Sequence, residues 1–159
     1  MKAIYILFPV LVLLAAACRE QPDEKQLINK EASLPEDFNF SKLGLKVLSS
    51  SVNEKQNTMS TIYGNDLALN TAKAGTPVQA GEVLAMITWK QKKDEHWFGA
   101  KIPGNLQTVE MIRTSPDAQK SAKVDYQRYE GKKLTLKQDT TGNDKNIRYI
   151  FEQHPSVMP

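Results

Sequence analysis

The stretch EVLAMITWKQ, residues 82–91, is apolar without a break from Val83 to Ile87. Val83, Ala85, Ile87 and Trp89 share one phase of an extended chain, and Leu84 and Met86 share the other. Apolar side chains in both phases mean cover on both faces, so the segment reads as a central strand. Its neighbours extend the pattern. LKVLSSSVN (45–53) and NTMSTIYG (57–64) are rich in Ser, Thr and β-branched residues and read as strands, with Met59, Thr61 and Tyr63 in one phase. NDLALNTAKAG reads as one short helix, with Asn65 as N-cap and Gly75 just past its end. LQTVEMIRT (106–114) is a further strand, and SPDAQKSA a surface loop. KVDYQRYEGKKLTLKQD reads as a hairpin turning near Gly131, with Leu134 and Leu136 alternating. NIRYIFEQ is expected to close the domain as a strand, with Ile147, Tyr149 and Phe151 facing inward. Six or seven short strands and one or two short helices make an α+β domain, mainly antiparallel β-sheet, over residues 37–159.

The other end of the chain speaks of compartment. Residues 3–17, AIYILFPVLVLLAAA, are a short apolar run after a basic start. A run of this length ending in small residues reads as a signal peptide, residues 1–17, rather than a spanning helix. Cys18 follows at once and is the only cysteine. LLAAAC resembles a bacterial lipobox, although Ala15 stands where leucine is usual. The expectation is cleavage before Cys18 and lipid, palmitate included, on its sulfur. Several acyl chains hold a protein to a membrane where one does not. A lone thiol forms no internal disulfide. Residues 18–36 are charged, poor in large apolar groups, and read as a tether, with some local helix near Glu24 to Ala32. The expected address is the bacterial cell envelope, lipid-anchored on the periplasmic or outer-membrane side.

Composition removes several function classes. The 21 basic and 18 acidic side chains nearly balance, and no basic stripe with interleaved aromatics suggests nucleic acid. The two histidines, His96 and His154, lie far apart with no thiolate cluster beside them, which disfavours zinc. No Gly-x-Ser-x-Gly is present, and the only cysteine is assigned to the anchor. No residue is nominated as catalytic. The densest chemistry lies in DEHWFGAKIPG, residues 94–104. Trp97 and Phe98 are adjacent, and Trp is favoured at contact hot spots. Lys101 can meet an anion or a ring face, and His96 titrates near neutrality. Two readings stand side by side: the aromatics anchor the loop, with IPG making a turn, or the loop meets a ligand together with Tyr63 and Trp89.

NTMSTIYGND, GEVLAMITWKQKKDEHWFGAKIPG and YIFEQHPSVMP together resemble the cytochrome P-460 family, within it a subgroup of envelope proteins of Bacteroidetes-type bacteria. The resemblance runs from about Leu45 to Pro159. It implies a β-rich domain outside the cytoplasm, often dimeric, whose haem-carrying members attach c-type haem through Cys-x-x-Cys-His near the C-terminus. No such motif occurs here, so covalent attachment has no thiol to use. The leading expectation is a haem-free module that binds a small ligand or an envelope protein. The alternative is a redox or gas-binding protein with non-covalent haem on His96 or His154. A purely structural lipoprotein remains a third reading.

Overall fold

The computed structural model describes residues 28–155 apart from Asn39, Gln119–Ser121, Lys132 and Thr140. Cys18 and the signal segment lie outside the described residues. Six strands run β1 (Lys46–Asn53), β2 (Thr58–Gly64), β3 (Val83–Lys93), β4 (Lys101–Pro116), β5 (Ala122–Glu130) and β6 (Thr135–Leu136). Each pairs antiparallel with the next, so chain order equals sheet order. Two α-helices, α1 (Asp66–Ala74) and α2 (Asn143–Phe151), and two short 3-10 helices before β1 (Glu36–Phe38 and Phe40–Leu43) complete the elements of the described residues. The architecture is α+β and mainly β, as the patterning predicts.

The apolar phases of β3 sort the molecule into three layers. Leu84 and Met86 join Leu48, Ile62, Ala68, Ile112 and Ile150 in a core beneath the two helices. Ala85, Ile87 and Trp89 join Phe40, Leu106, Val109, Met111 and Leu134 on the opposite face. That second face is covered by the chain before β1, through Ala32, Leu34, Phe38 and Leu45. Both faces of the two middle strands are therefore dry, which is why β3 carries no polar alternation in its first half.

Helix α1 begins and ends where its sequence says. Asn65 accepts a hydrogen bond from Ala68 N–H at 3.0 Å, and Gly75 closes the helix at φ +61°. The helix sits close because Gly64 has no side chain: a Cβ there would stand 2.9 Å from Leu69 Cδ1 and 3.2 Å from Ala68 Cβ.

Three expectations need correction. Residues 143–151 are a helix, not a closing strand. Ile147, Ile150 and Phe151 lie at i, i+3 and i+4 and form its apolar stripe. Ile150 is 1% exposed, whereas Tyr149, expected inward, is 41% exposed. Second, IPG at 102–104 is not a turn. It belongs to β4, with Pro103 opposite Gln91 and Ile102 opposite Lys92. Proline has no N–H for the ladder, and the register is irregular between Trp89 and Gln91. The true turn is Asp94 to Ala100. Third, the stretch read as a tether lies on the sheet from Ile28 onward. Trp89 Nε1 donates to Ala32 O at 2.8 Å, Leu106 N–H to Glu31 O at 3.3 Å, and Asn29 Nδ2 to Pro103 O at 2.7 Å. Buried backbone and indole donors need partners, and this segment supplies the acceptors. Of the local helix expected near Glu24 to Ala32, the described part is a turn at Lys30–Ala32.

Candidate functional site

The six residues nominated for ligand contact fall into two places. Tyr63 and Trp89 share a groove on the face covered by the N-terminal segment. Leu34, Pro35, Glu36, Phe38, Phe40, Leu45 and Ile87 complete most of its lining, around about 480 Å³. The alternation of β2 and β3 points Tyr63 and Ile87 to this face, and the strand pairing sets Tyr63 opposite Ala85. The rings of Phe40 and Tyr63 stack at 5.9 Å, and Phe38 meets Tyr129 edge-on at 5.0 Å. Trp89 is buried with its indole N–H bound to Ala32 O, so it forms floor rather than contact. Burial pushes the Tyr63 phenol above its ordinary value, and its hydroxyl has no hydrogen bond among the described residues. The groove is thus lined mainly by apolar and aromatic side chains, and polar atoms, the Tyr63 hydroxyl and the Glu36 carboxylate among its lining residues, share its exposed surface. A wider depression of about 940 Å³ shares Leu34 and Pro35 with it. That depression carries Lys30, Glu31, Arg128 and Glu130 on its walls, so its lining is mixed in charge.

His96, Trp97, Phe98 and Lys101 stand elsewhere, at the end of the β3–β4 hairpin. Asp94 Oδ1 accepts from His96 N–H at 2.8 Å and Trp97 N–H at 3.3 Å, and Asp94 N–H donates to Ala100 O at 3.0 Å. Gly99 at φ +80° lets the chain return. Trp97 is 72% exposed and Phe98 fully exposed, so neither anchors the loop in the core. Lys101 Nζ lies 3.8 Å from Glu54 Oε1. His96 faces solvent on this tip.

A third cluster was missed by sequence reasoning. Glu110 is 3% exposed in the middle of β4, on the helix-covered face. Tyr126 hydroxyl donates to Glu110 Oε2, and Asn146 Nδ2 of α2 donates to Tyr126 oxygen at 3.1 Å. Arg128 Nη1 lies 3.9 Å from Glu110 Oε1. Burial raises the Glu110 carboxyl above its usual range, more than Tyr126 and Arg128 lower it. The Tyr126 phenol is pushed up to about 12, by burial first and by its bond to Glu110. The available signal was a lone carboxylate in phase with Ile112, flanked by Val109 and Met111.

With the geometry in view, comparison with protein-family models matches cytochrome P-460 over residues 39–154. The chain belongs to the cytochrome P-460 family. No curated protein matches it. The family implies haem, so the residues present must be tested against that group. Thioether attachment requires cysteines, and the only one in the sequence is Cys18. Of the two imidazoles, His96 has no apolar enclosure at the exposed tip. His154 borders a cavity between α1, α2 and the sheet, lined by Leu48, Ala68, Val78, Leu84 and Phe151, with Glu82 also on its wall. Its volume is about 190 Å³, below the roughly 300–1,000 Å³ of pockets that enclose a drug-sized ligand. The larger Tyr63 groove has no imidazole or thiolate among its lining residues, and its phenol is shifted away from ionisation. These sites do not fit a haem as they stand.

Proposed function

We propose that this is a lipid-anchored envelope protein whose cytochrome P-460 domain binds a small, mostly apolar, planar ligand without haem. The ligand lies in the Phe38–Phe40–Tyr63 groove over the floor made by Trp89. The observation that carries this reading is the Tyr63 hydroxyl, without a hydrogen bond among the described residues, on a residue that lines an open aromatic groove. Ligand pockets combine apolar walls with orienting polar groups, and the aromatic and aliphatic side chains lining this groove supply such walls. The ring faces supply area, and the hydroxyl fixes orientation. The anchor at Cys18 keeps the domain at a membrane, where apolar compounds concentrate.

Binding of 1-anilinonaphthalene-8-sulfonate to the full mature chain tests the groove. Its emission rise should saturate at one equivalent. Phe40→Ala should weaken it at least tenfold, and Tyr63→Phe several-fold, with circular dichroism unchanged. Equal affinity across the wild type and both variants would remove the groove from the account.

A further inference from the structure

The hairpin tip takes no part in the groove, yet it is the most apolar exposed point of the described residues. Trp97 and Phe98 project together from a turn that Asp94 holds by two backbone hydrogen bonds. The tip lies beside the first described residues of the N-terminal segment. Lys92 Nζ stands 3.7 Å from Glu31 Oε2 and 3.6 Å from Glu95 Oε1, so one ammonium joins the N-terminal segment to the tip loop. Asn29 Nδ2 donates to Pro103 O, a few residues down the same hairpin. Ile28, the first described residue, is also exposed. Ten residues from Cys18 to Ile28 reach at most about 35 Å when fully extended.

We propose that Trp97 and Phe98 dip into the surface of the phospholipid bilayer that holds the lipid on Cys18. This inference rests on the anchor proposed above. The chain exit brings the tip to the bilayer side of the domain. Tryptophan favours the headgroup level, where an apolar ring and a polar N–H are both accommodated. The charges around the tip nearly cancel. Lys92 is shared between Glu31 and Glu95, and Lys101 faces Glu54. The contact is therefore led by the rings and depends little on anionic lipid or salt. A protein partner fits less well. Stable protein interfaces bury roughly 800 Å² per partner, whereas two aromatic side chains on a narrow turn, ringed by charge, offer about 150–250 Å² each.

The test uses the full lipidated chain in vesicles of phosphatidylethanolamine and phosphatidylglycerol with brominated acyl chains. The Trp97 signal is the difference between the wild type and Trp97→Phe, which leaves buried Trp89 as the common background. That signal should shift to the blue, be quenched by bromine and be shielded from iodide. Phe98→Ser should reduce the quenching at least twofold. Raising salt from 0.1 to 0.5 M should leave it unchanged. Water-like, iodide-accessible Trp97 emission in vesicles would overturn the proposal. So would shielding without bromine quenching, which would indicate contact between copies of the chain. Intact mass and vesicle flotation read the anchor separately. An unacylated chain that does not float would sink the anchor. The same quenching in excess vesicles would then still support contact at the tip, and its absence would overturn it.

Discussion

Glu110 shows what a single side chain costs and controls in this sheet. Its carboxyl is buried opposite Arg128 in the β4–β5 pairing and held by the Tyr126 hydroxyl. Because burial raises its proton affinity in the folded state, the folded chain binds the proton more tightly than the unfolded chain. Stability from this group is complete below the ordinary carboxylate range and is lost as pH rises through the raised value. Urea midpoints of the wild type should therefore fall as pH rises above the ordinary carboxylate range, a slope that the Glu110→Gln variant loses. Parallel pH profiles would contradict this account. Tyr126→Phe should cost about 1–3 kcal/mol, since it leaves a buried acceptor without its donor, and should raise the Glu110 carboxyl further. The sequence could show that Glu110 stood in phase with Ile112. It could not show Tyr126, Arg128 and Asn146 converging there, because strand pairing and the packing of α2 bring them together.

Elements whose signals were local could be read from sequence, and those set by tertiary cover could not. Helix α1 carried both its caps, Asn65 and Gly75, and β3 carried its two dry phases. For residues 143–151, Ile147, Tyr149 and Phe151 suit a strand, whereas Ile147, Ile150 and Phe151 suit a helix. The decision lay in which side chains the sheet would cover. Ile150→Ala should cost about 2–5 kcal/mol as a large-to-small core change, while Tyr149→Ala should cost much less. A reversed order in thermal or urea unfolding would contradict the helical assignment. The β3–β4 hairpin was misread for a related reason. DEHWFGAKIPG holds two turn signals, Asp94 with Gly99 and Pro103 with Gly104, and only the first turns the chain. Pro103 is drawn into β4 as the ladder continues on either side of it. The aromatics of that segment, Trp97 and Phe98, stand exposed at the hairpin tip, and the companions expected beside them, Tyr63 and Trp89, belong to a separate groove.

The whole molecule is a sheet with different business on each side. Two helices cover one face, with the Glu110 cluster and the small His154 cavity beneath or beside them. The N-terminal segment crosses the other face and leaves the aromatic groove along its edge. That segment read as tether because Ala32 and Leu34 are spaced among polar residues. Their cover becomes visible only against the floor of Ile87, Trp89 and Leu106. The same crossing places Asn29 and Glu31 beside the β3–β4 hairpin that carries the Trp97–Phe98 tip, the arrangement on which the proposed membrane contact rests. Family membership brings haem into question for the molecule as a whole, and the sequence holds no Cys-x-x-Cys-His for thioether attachment. The decisive measurement is an absorption spectrum with intact mass of the mature full chain made in a haem-competent host and then titrated with hemin. A colourless protein, at the mass of the chain plus acyl groups on Cys18, that takes up no stoichiometric hemin is the predicted result. A Soret band at one haem per chain that is lost in His154→Ala or His96→Ala would contradict the haem-free account.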